Sequence, residues 1–289
     1  MTGELNLLKW IHGRLGVRRG AIVVDSGDDA AVLRVGRERL LFKVDSVVEG
    51  VHFKKGTAPA KIGYKALARP LSDIAAMGGV PVAALAAAVL PKSWPLGRAK
   101  RLQEGMERLG VPVVGGDIAS HRGPLVLSVS VLGDMKGVEP VLRKGARPGD
   151  LIVVTGPLGG SIRGRHLDFT PRLREGRLFA TKLRVRAMID ISDGLARDLG
   201  HLCEVGGVGA ELLAPRIPVS KGSSLEGALH DGEDYELLAA AEPRTAWRIE
   251  KAGKGTIIGR IVPDRGLRLA FPDGTVRPIP PRGYEHPLG

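Results

Sequence analysis

A chain of 289 residues that is 43% hydrophobic can bury one large core or two of ordinary size, which excludes extended disorder. Its net charge of +12 favours anionic partners, but the 43 basic residues are scattered and aromatics are only 4%, so nucleic acid is not an expected partner. Cys203, the single cysteine, rules out an intrachain disulfide and a thiolate metal centre, and no apolar run is long enough to span a bilayer; a cytoplasmic protein is expected.

In chain order, "MTGELNLLKWIHGRLG" places Leu5, Leu8, Ile11 and Leu15 at helical spacing and reads as an amphipathic helix rather than a signal peptide. "AAVLRV" and "RLLFKVDSVV" read as strands about a turn at Gly36. "AKIGYKALARPLSDIAAMG" reads as a helix that Pro70 ends or kinks. "VAALAAAVL" follows as a buried strand, and "PLGRAKRLQEGMERLG" as an amphipathic helix stopped at Gly110. "VPVVGGD" and "PLVLSVSVLGDM" are two further strands. The turn-rich stretch "VLRKGARPGDLIVVTG" marks a junction, so the expected domains are 1–136 and 137–289. The second half holds a strand at 151–155, a Gly-rich turn "GPLGGS", the strand "AMIDIS" and the helix "DGLARDLGHLCEVG". "GVGAELLA", a short helix, "GEDYELLAAA" and a hairpin-rich end complete it. Strands and helices mixed in this way predict an α/β (α+β) fold.

The acidic residues of interest stand at element ends beside glycines: Asp28, Asp29, Asp45, Asp73, Asp117, Asp190, Asp193, Glu233 and Asp234. Singly, each has an ordinary reading as a helix cap, turn or loop residue. As a set they need a counter-ion, because two carboxylates about 4 Å apart repel by about 4 kcal/mol at an effective dielectric of 20. With no His/Cys set to hold a soft metal, the matching cation is Mg²⁺, bound through oxygen alongside phosphate. That points to phosphoryl transfer. The P-loop, the Rossmann glycine fingerprint and the protein-kinase motifs are all missing.

"SGDDAAVL", "DSVVEGVHF", "IGYKALARPLSDIAAMGGVP", "VGGDIASHRGPL", "LRKGARPGDLIVVTG", "IDISDGLARDLGHL", "GVGAEL" and "ALHDGEDYELL" occur in the order seen in the thiamine-monophosphate kinase family. That family is part of the superfamily of aminoimidazole ribonucleotide synthetase, selenophosphate synthetase and a hydrogenase maturation factor. The likeness runs from about residue 25 to 240, with "RGYEH" as a further echo. It implies a two-domain aminoimidazole ribonucleotide synthetase-like fold whose N-terminal domain contributes strands to a barrel across a homodimer interface. It also implies ATP-dependent phosphorylation of thiamine monophosphate to thiamine diphosphate by direct in-line transfer. By resemblance, Asp29, Asp45, Asp73, Asp117, Asp190 and Asp193 match metal-binding positions. Gly116, Asp117, Arg143 and Ser192 match ATP contacts, and Asp117, Arg143 and Asp193 are the expected catalytic residues. His52, Glu233 and Tyr284 match contacts to the thiamine moiety, and Asp28 is expected to hold its loop.

The chain departs from the family pattern in four places. Lys43 and Val44 replace the usual Ser-Thr pair before Asp45, so Lys43 either neutralises Asp45 or a phosphate in place of one metal ion, or points to solvent. Pro70 replaces an asparagine, "GGDIASHRG" replaces a Thr-containing loop, and the segment at 161–166 is shortened. These changes leave two alternatives open: a sibling ATP-dependent enzyme acting on another phosphorylated or carboxylated metabolite, and a non-catalytic nucleotide-binding homologue. For His52, the residues alone favour a packed histidine; Cys203 reads as core.

Overall fold

The structure, a computed structural model, describes residues 3, 6–7, 10–11, 20–25 and 27–286. Of the expected N-terminal helix, Leu5, Leu8 and Leu15 lie outside the described residues, while Gly3, Asn6, Leu7, Trp10 and Ile11 are helical.

The first half runs β1 (Ile22–Val24), β2 (Ala31–Val35), β3 (Glu38–Val48), α1 (Pro59–Ala76), β4 (Val80–Pro91), α2 (Leu96–Glu107), β5 (Val113–His121) and β6 (Val126–Asp134). Its strands form one sheet in the order β1-β2-β3-β6-β4-β5, antiparallel except for the β4/β5 pair. Side chains alternate across it as strand geometry requires. Leu41, Val47, Leu127, Val129 and Val131 are buried on one face, whereas Phe42, Val44, Leu85 and Ile118 are 48%, 57%, 49% and 76% exposed. β4 is therefore not the buried strand its apolar run suggests. Ala84 is buried but Leu85 faces outward, because the helices cover only one side of the sheet.

α1 continues through Pro70 to Ala76 rather than ending at the proline. The missing N–H and the ring clash at an interior proline cost about 3 kcal/mol. Burial of nearly the whole helix offsets that: Ile62, Leu67, Leu71 and Ile74 sit in the first core. Ala75 and Ala76 pack into a second core with Val153, Phe179, Met188 and Leu237. α1 is thus shared by both halves of the molecule.

The second half runs β7 (Leu151–Val154), α3 (Leu173–Leu178), β8 (Ala187–Asp190), α4 (Leu195–Gly206), β9 (Gly209–Leu213), α5 (Leu225–His230), β10 (Leu237–Ala241), α6 (Pro243–Lys251), β11 (Thr256–Val262), β12 (Gly266–Ala270) and β13 (Val276–Ile279). Its sheet has the order β13-β12-β9-β11-β7-β10-β8, with β9 and β12 parallel. α6 stands where the sequence suggests only hairpins. Pro243 starts it, and Thr245, Ala246 and Ile249 form a buried stripe at helical spacing. Among the described residues, no helix is long and apolar enough to cross a membrane.

Candidate active site

The two sheets meet at α1, and this junction gathers carboxylates that are far apart in sequence. Asp29, in the turn before β2, Asp73 on α1 and Asp190 at the end of β8 are buried, with one oxygen of each within 4.8 Å of the others. Ser72 Oγ donates to Asp190 Oδ2 at 2.6 Å, tying the helix to the second sheet at this point. Asp29 Oδ1 accepts from Arg143 Nη2 at 2.8 Å, while its Oδ2 is buried with no partner. Asp28 holds the turn: its carboxylate accepts from the backbone N–H of Asp29 and of Arg143.

Lys43 settles the question its sequence position raises, because it points into this group. Its Nζ lies 2.8 Å from Asp73 Oδ1 and 3.9 Å from Asp45 Oδ1, with the side chain 23% exposed. β-strand alternation puts Lys43 and Asp45 on the covered face of β3, beneath α1. Burial alone would lower the lysine pKa; the Asp73 and Asp45 carboxylates override it and hold the ammonium charged.

The neighbouring "SDG" loop is held by a residue the motif reading passes over. Asp198, in the first turn of α4, accepts from the backbone N–H groups of Ser192, Asp193 and Gly194 through one oxygen at 3.0–3.1 Å. A carboxylate in the first turn of a helix is a signal that could have found it. Asp193 itself is 41% exposed, with Arg197 Nε 3.7 Å from its Oδ2. The "RGYEH" segment lies on this loop, Tyr284 N donating to Asp193 O at 3.0 Å.

A second polar group forms at the N-terminal half of α1. Lys65, fully buried, ion-pairs with Glu233 and donates to His52 O at 2.7 Å. His166 Nδ1 lies 2.8 Å from Glu233 Oε2, and Tyr235 OH donates to Oε1 at 3.3 Å. Glu233 and Tyr235 both adopt left-handed backbone (φ 55° and 52°), a strained choice for non-glycine residues that turns the glutamate into the group. Burial would raise the Glu233 pKa; His166 and Lys65 instead hold it at about 2, while burial lowers Lys65 to about 8. His52 is buried, accepts from Val48 N at its Nδ1, and is held at about 4 by burial and by the charge of Arg69. Its ring lies 5.5 Å from that of His286, which in turn makes an edge contact with Tyr284. Lys65, Arg69, His166 and Tyr235 are absent from the sequence-level site. Only the four-residue spacing of Lys65, Arg69 and Asp73 on one helix could have signalled part of it.

Gly116 and Asp117 are not drawn into either group. They lie exposed on β5, the edge strand. Asp117 pairs with Ala87, which pairs with Ser128 and so with Ser46, the row opposite to the face of Lys43 and Asp45. Gly116 has a structural reason of its own, since a Cβ there would run into the Ala86 carbonyl oxygen.

The profile of the AIR synthase related protein N-terminal domain matches residues 27–135, and that of its C-terminal domain matches 147–271. Thiamine-monophosphate kinase of Rhodopirellula baltica is 34% identical over 309 residues, covering 98% of this chain and 97% of its own. The chain belongs to the thiamine-monophosphate kinase family. Among solved structures, "AaThiL complexed with AMPPCP and TMP" superposes with a TM-score of 0.86 at 30% identity, over 98% of this chain and 97% of that one. Thiamine monophosphate kinase from Aquifex aeolicus has a TM-score of 0.79 at 30% identity, over 94% and 97%. Within the thiamine-monophosphate kinase fold, this chain places a lysine among its acidic residues.

That acidic group gives the metal-free protein a defined pH response. Burial and the charge of Asp29 push Asp190 up to about 7, against about 4 for an unfolded aspartate. Between these values the folded carboxyl keeps a proton that the unfolded chain has lost. Asp190 therefore contributes stability that falls as pH rises from about 4.5 to 7 and then levels off. His52, which is held below the ordinary histidine value, opposes it over part of that window. Thermal melts of wild type and Asp190→Asn in chelator across this range measure that contribution by difference. A wild-type-minus-variant difference that fails to fall over that window would sink the assignment.

Proposed function

We propose that the protein transfers the γ-phosphoryl group of ATP to the phosphate of thiamine monophosphate, giving thiamine diphosphate and ADP. The observation that carries this reading is the joining, along one helix, of an acidic group suited to Mg²⁺ and phosphate with a separate polar group around Glu233 and His52. Support also comes from relatives about one-third identical over nearly the whole chain, one of them solved with the ATP analogue AMPPCP and with TMP.

The donor set fits a hard cation: the converging groups are oxygens, and Asp29 keeps a buried oxygen without a partner. In this reading Asp29, Asp45, Asp73, Asp190 and Asp193 would hold Mg²⁺, whereas Asp117 faces the other side of the first sheet. Bound there, Mg²⁺ neutralises phosphate oxygens so that two anionic phosphates can approach. Arg143 and Ser192 position ATP, joined by Gly116, which shares the row of Asp45. Arg143 offers a planar fork already fixed by Asp29. His52, Glu233 and Tyr284 orient the thiamine moiety. An acceptor phosphate oxygen attacks the γ-phosphorus in line as the bond to the β-phosphate oxygen breaks. That oxygen is already ionised, so positioning and charge neutralisation supply the catalysis without a general base.

The same reading includes a cytoplasmic homodimer. Edge strand β5 and the outward apolar residues Val44, Leu85, Val114 and Ile118 supply the surface for a second copy, which would also bury Asp117. Ile118→Glu is expected to convert the dimer to monomer by analytical ultracentrifugation and to lower activity at least tenfold; an unchanged sedimentation coefficient would argue against this face. The test of function is incubation with ATP, Mg²⁺ and thiamine monophosphate, followed by chromatography for thiamine diphosphate. Product formation is the expected result; ATP binding without product would favour a sibling enzyme with another acceptor.

A further inference from the structure

Lys65, Arg69 and Asp73 follow one another at four-residue spacing and so share one stripe of α1. Lys65 binds the Glu233 carboxylate at one end, and Asp73 belongs to the acidic group at the other. The ends are separated by about 12 Å along the helix axis, from eight residues at 1.5 Å each. Arg69 stands between them, and its charge acts on both sides. It helps to hold His52 unprotonated, and is itself kept charged against burial by Tyr235, Asp45, Glu233 and Asp73.

The guanidinium is only partly used within the chain. Nη1 donates to Ser46 O at 2.7 Å, and Nε is buried without a partner. An arginine fixed by one bond, with a buried donor left over, sits between an acidic group and a separate polar group. That is where a phosphate joined to a heterocyclic alcohol would lie, with its ring system towards Glu233 and His52 and its oxygens towards Asp45 and Asp73.

We infer that Arg69 binds the phosphate of the acceptor substrate and thereby selects a monophosphate ester over the free alcohol. This rests on the functional reading given above. Arg69 is the fixed cation on the acceptor side, as Arg143 is on the nucleotide side, so the two phosphates approach between two guanidinium groups as well as metal ions. A charge-assisted bond of this kind is worth about 10- to 100-fold in affinity.

The test compares wild type, Arg69→Met and Arg69→Lys for binding of thiamine monophosphate and of unphosphorylated thiamine, by calorimetry with Mg²⁺ and a non-hydrolysable ATP analogue. KM for thiamine monophosphate is measured in parallel. Arg69→Met should weaken thiamine monophosphate binding and raise KM by about 10- to 100-fold while thiamine binds as before, and Arg69→Lys should recover part of the loss. An equal loss for both ligands, or none for the phosphorylated one, would overturn the inference while wild-type turnover keeps the kinase reading intact. Absence of thiamine diphosphate from the wild type would overturn both. Thermal melts of the variants separate a folding defect from a binding defect.

Discussion

Asp190→Asn is expected to lower turnover on the order of 1000-fold while leaving a protein that folds and, in chelator at pH 8, melts several degrees higher than wild type. The two effects share one cause. Asp190 is buried beside Asp29 and Asp73, and it accepts a hydrogen bond from Ser72. Asparagine has the same shape and can still present an oxygen to Ser72, so packing is retained. One negative charge is removed from a group whose members repel one another by about 4 kcal/mol per pair at 4 Å. The gain in metal-free stability and the loss of metal-dependent catalysis therefore belong together. Turnover within tenfold of wild type would remove Asp190 from the metal-binding set. A lower melting temperature in chelator would show that the carboxylate is structural.

Lys43→Ser is expected to act in the opposite sense: one additional divalent ion bound per chain, and a metal-free protein weakened by about 3 kcal/mol, or roughly 5–10 °C. The ammonium bonds to Asp73 and also faces Asp45, so it supplies these carboxylates with positive charge that a metal ion would otherwise bring. Removing it leaves buried charge uncompensated until a cation replaces it. Mn²⁺ binding followed by electron paramagnetic resonance counts the ions in both proteins, and melts with and without chelator read the stability. An unchanged ion count would rule out substitution of metal by lysine, even if stability fell. Activity is a poorer guide here, because losing the ammonium alters the charge balance around the phosphates as well as the ion count.

Much of the fold was legible because hydrophobic period and turn residues are local properties. The alternation Leu127, Val129, Val131 marks β6 as a strand with one covered face. The failures are also physical. Pro70 misleads because helix propensity is judged for an isolated helix, whereas α1 is buried against two cores. The alanine-rich run of β4 reads as buried because composition cannot distinguish a covered sheet face from an open one. α6 hides because nine residues with a short apolar stripe resemble a turn-rich segment until they find a surface to cover.

For the site, residue order alone supplies the chemical vocabulary: aspartates beside glycines, an arginine for phosphate, no thiolates, and a lysine in an unusual place. Charges of one sign at element ends signal a need for compensation wherever the chain takes them. Which charges meet depends on the packing of distant elements. Asp29, Asp73 and Asp190 come from a turn, a helix and a strand end, and they converge because α1 packs between two sheets. The same packing turns Lys43 inward and leaves Asp117 on an open edge. It also aligns Lys65, Arg69 and Asp73 between two polar groups that no motif connects. Electrostatic energy depends on distance and burial, and both are properties of the folded chain rather than of residue order.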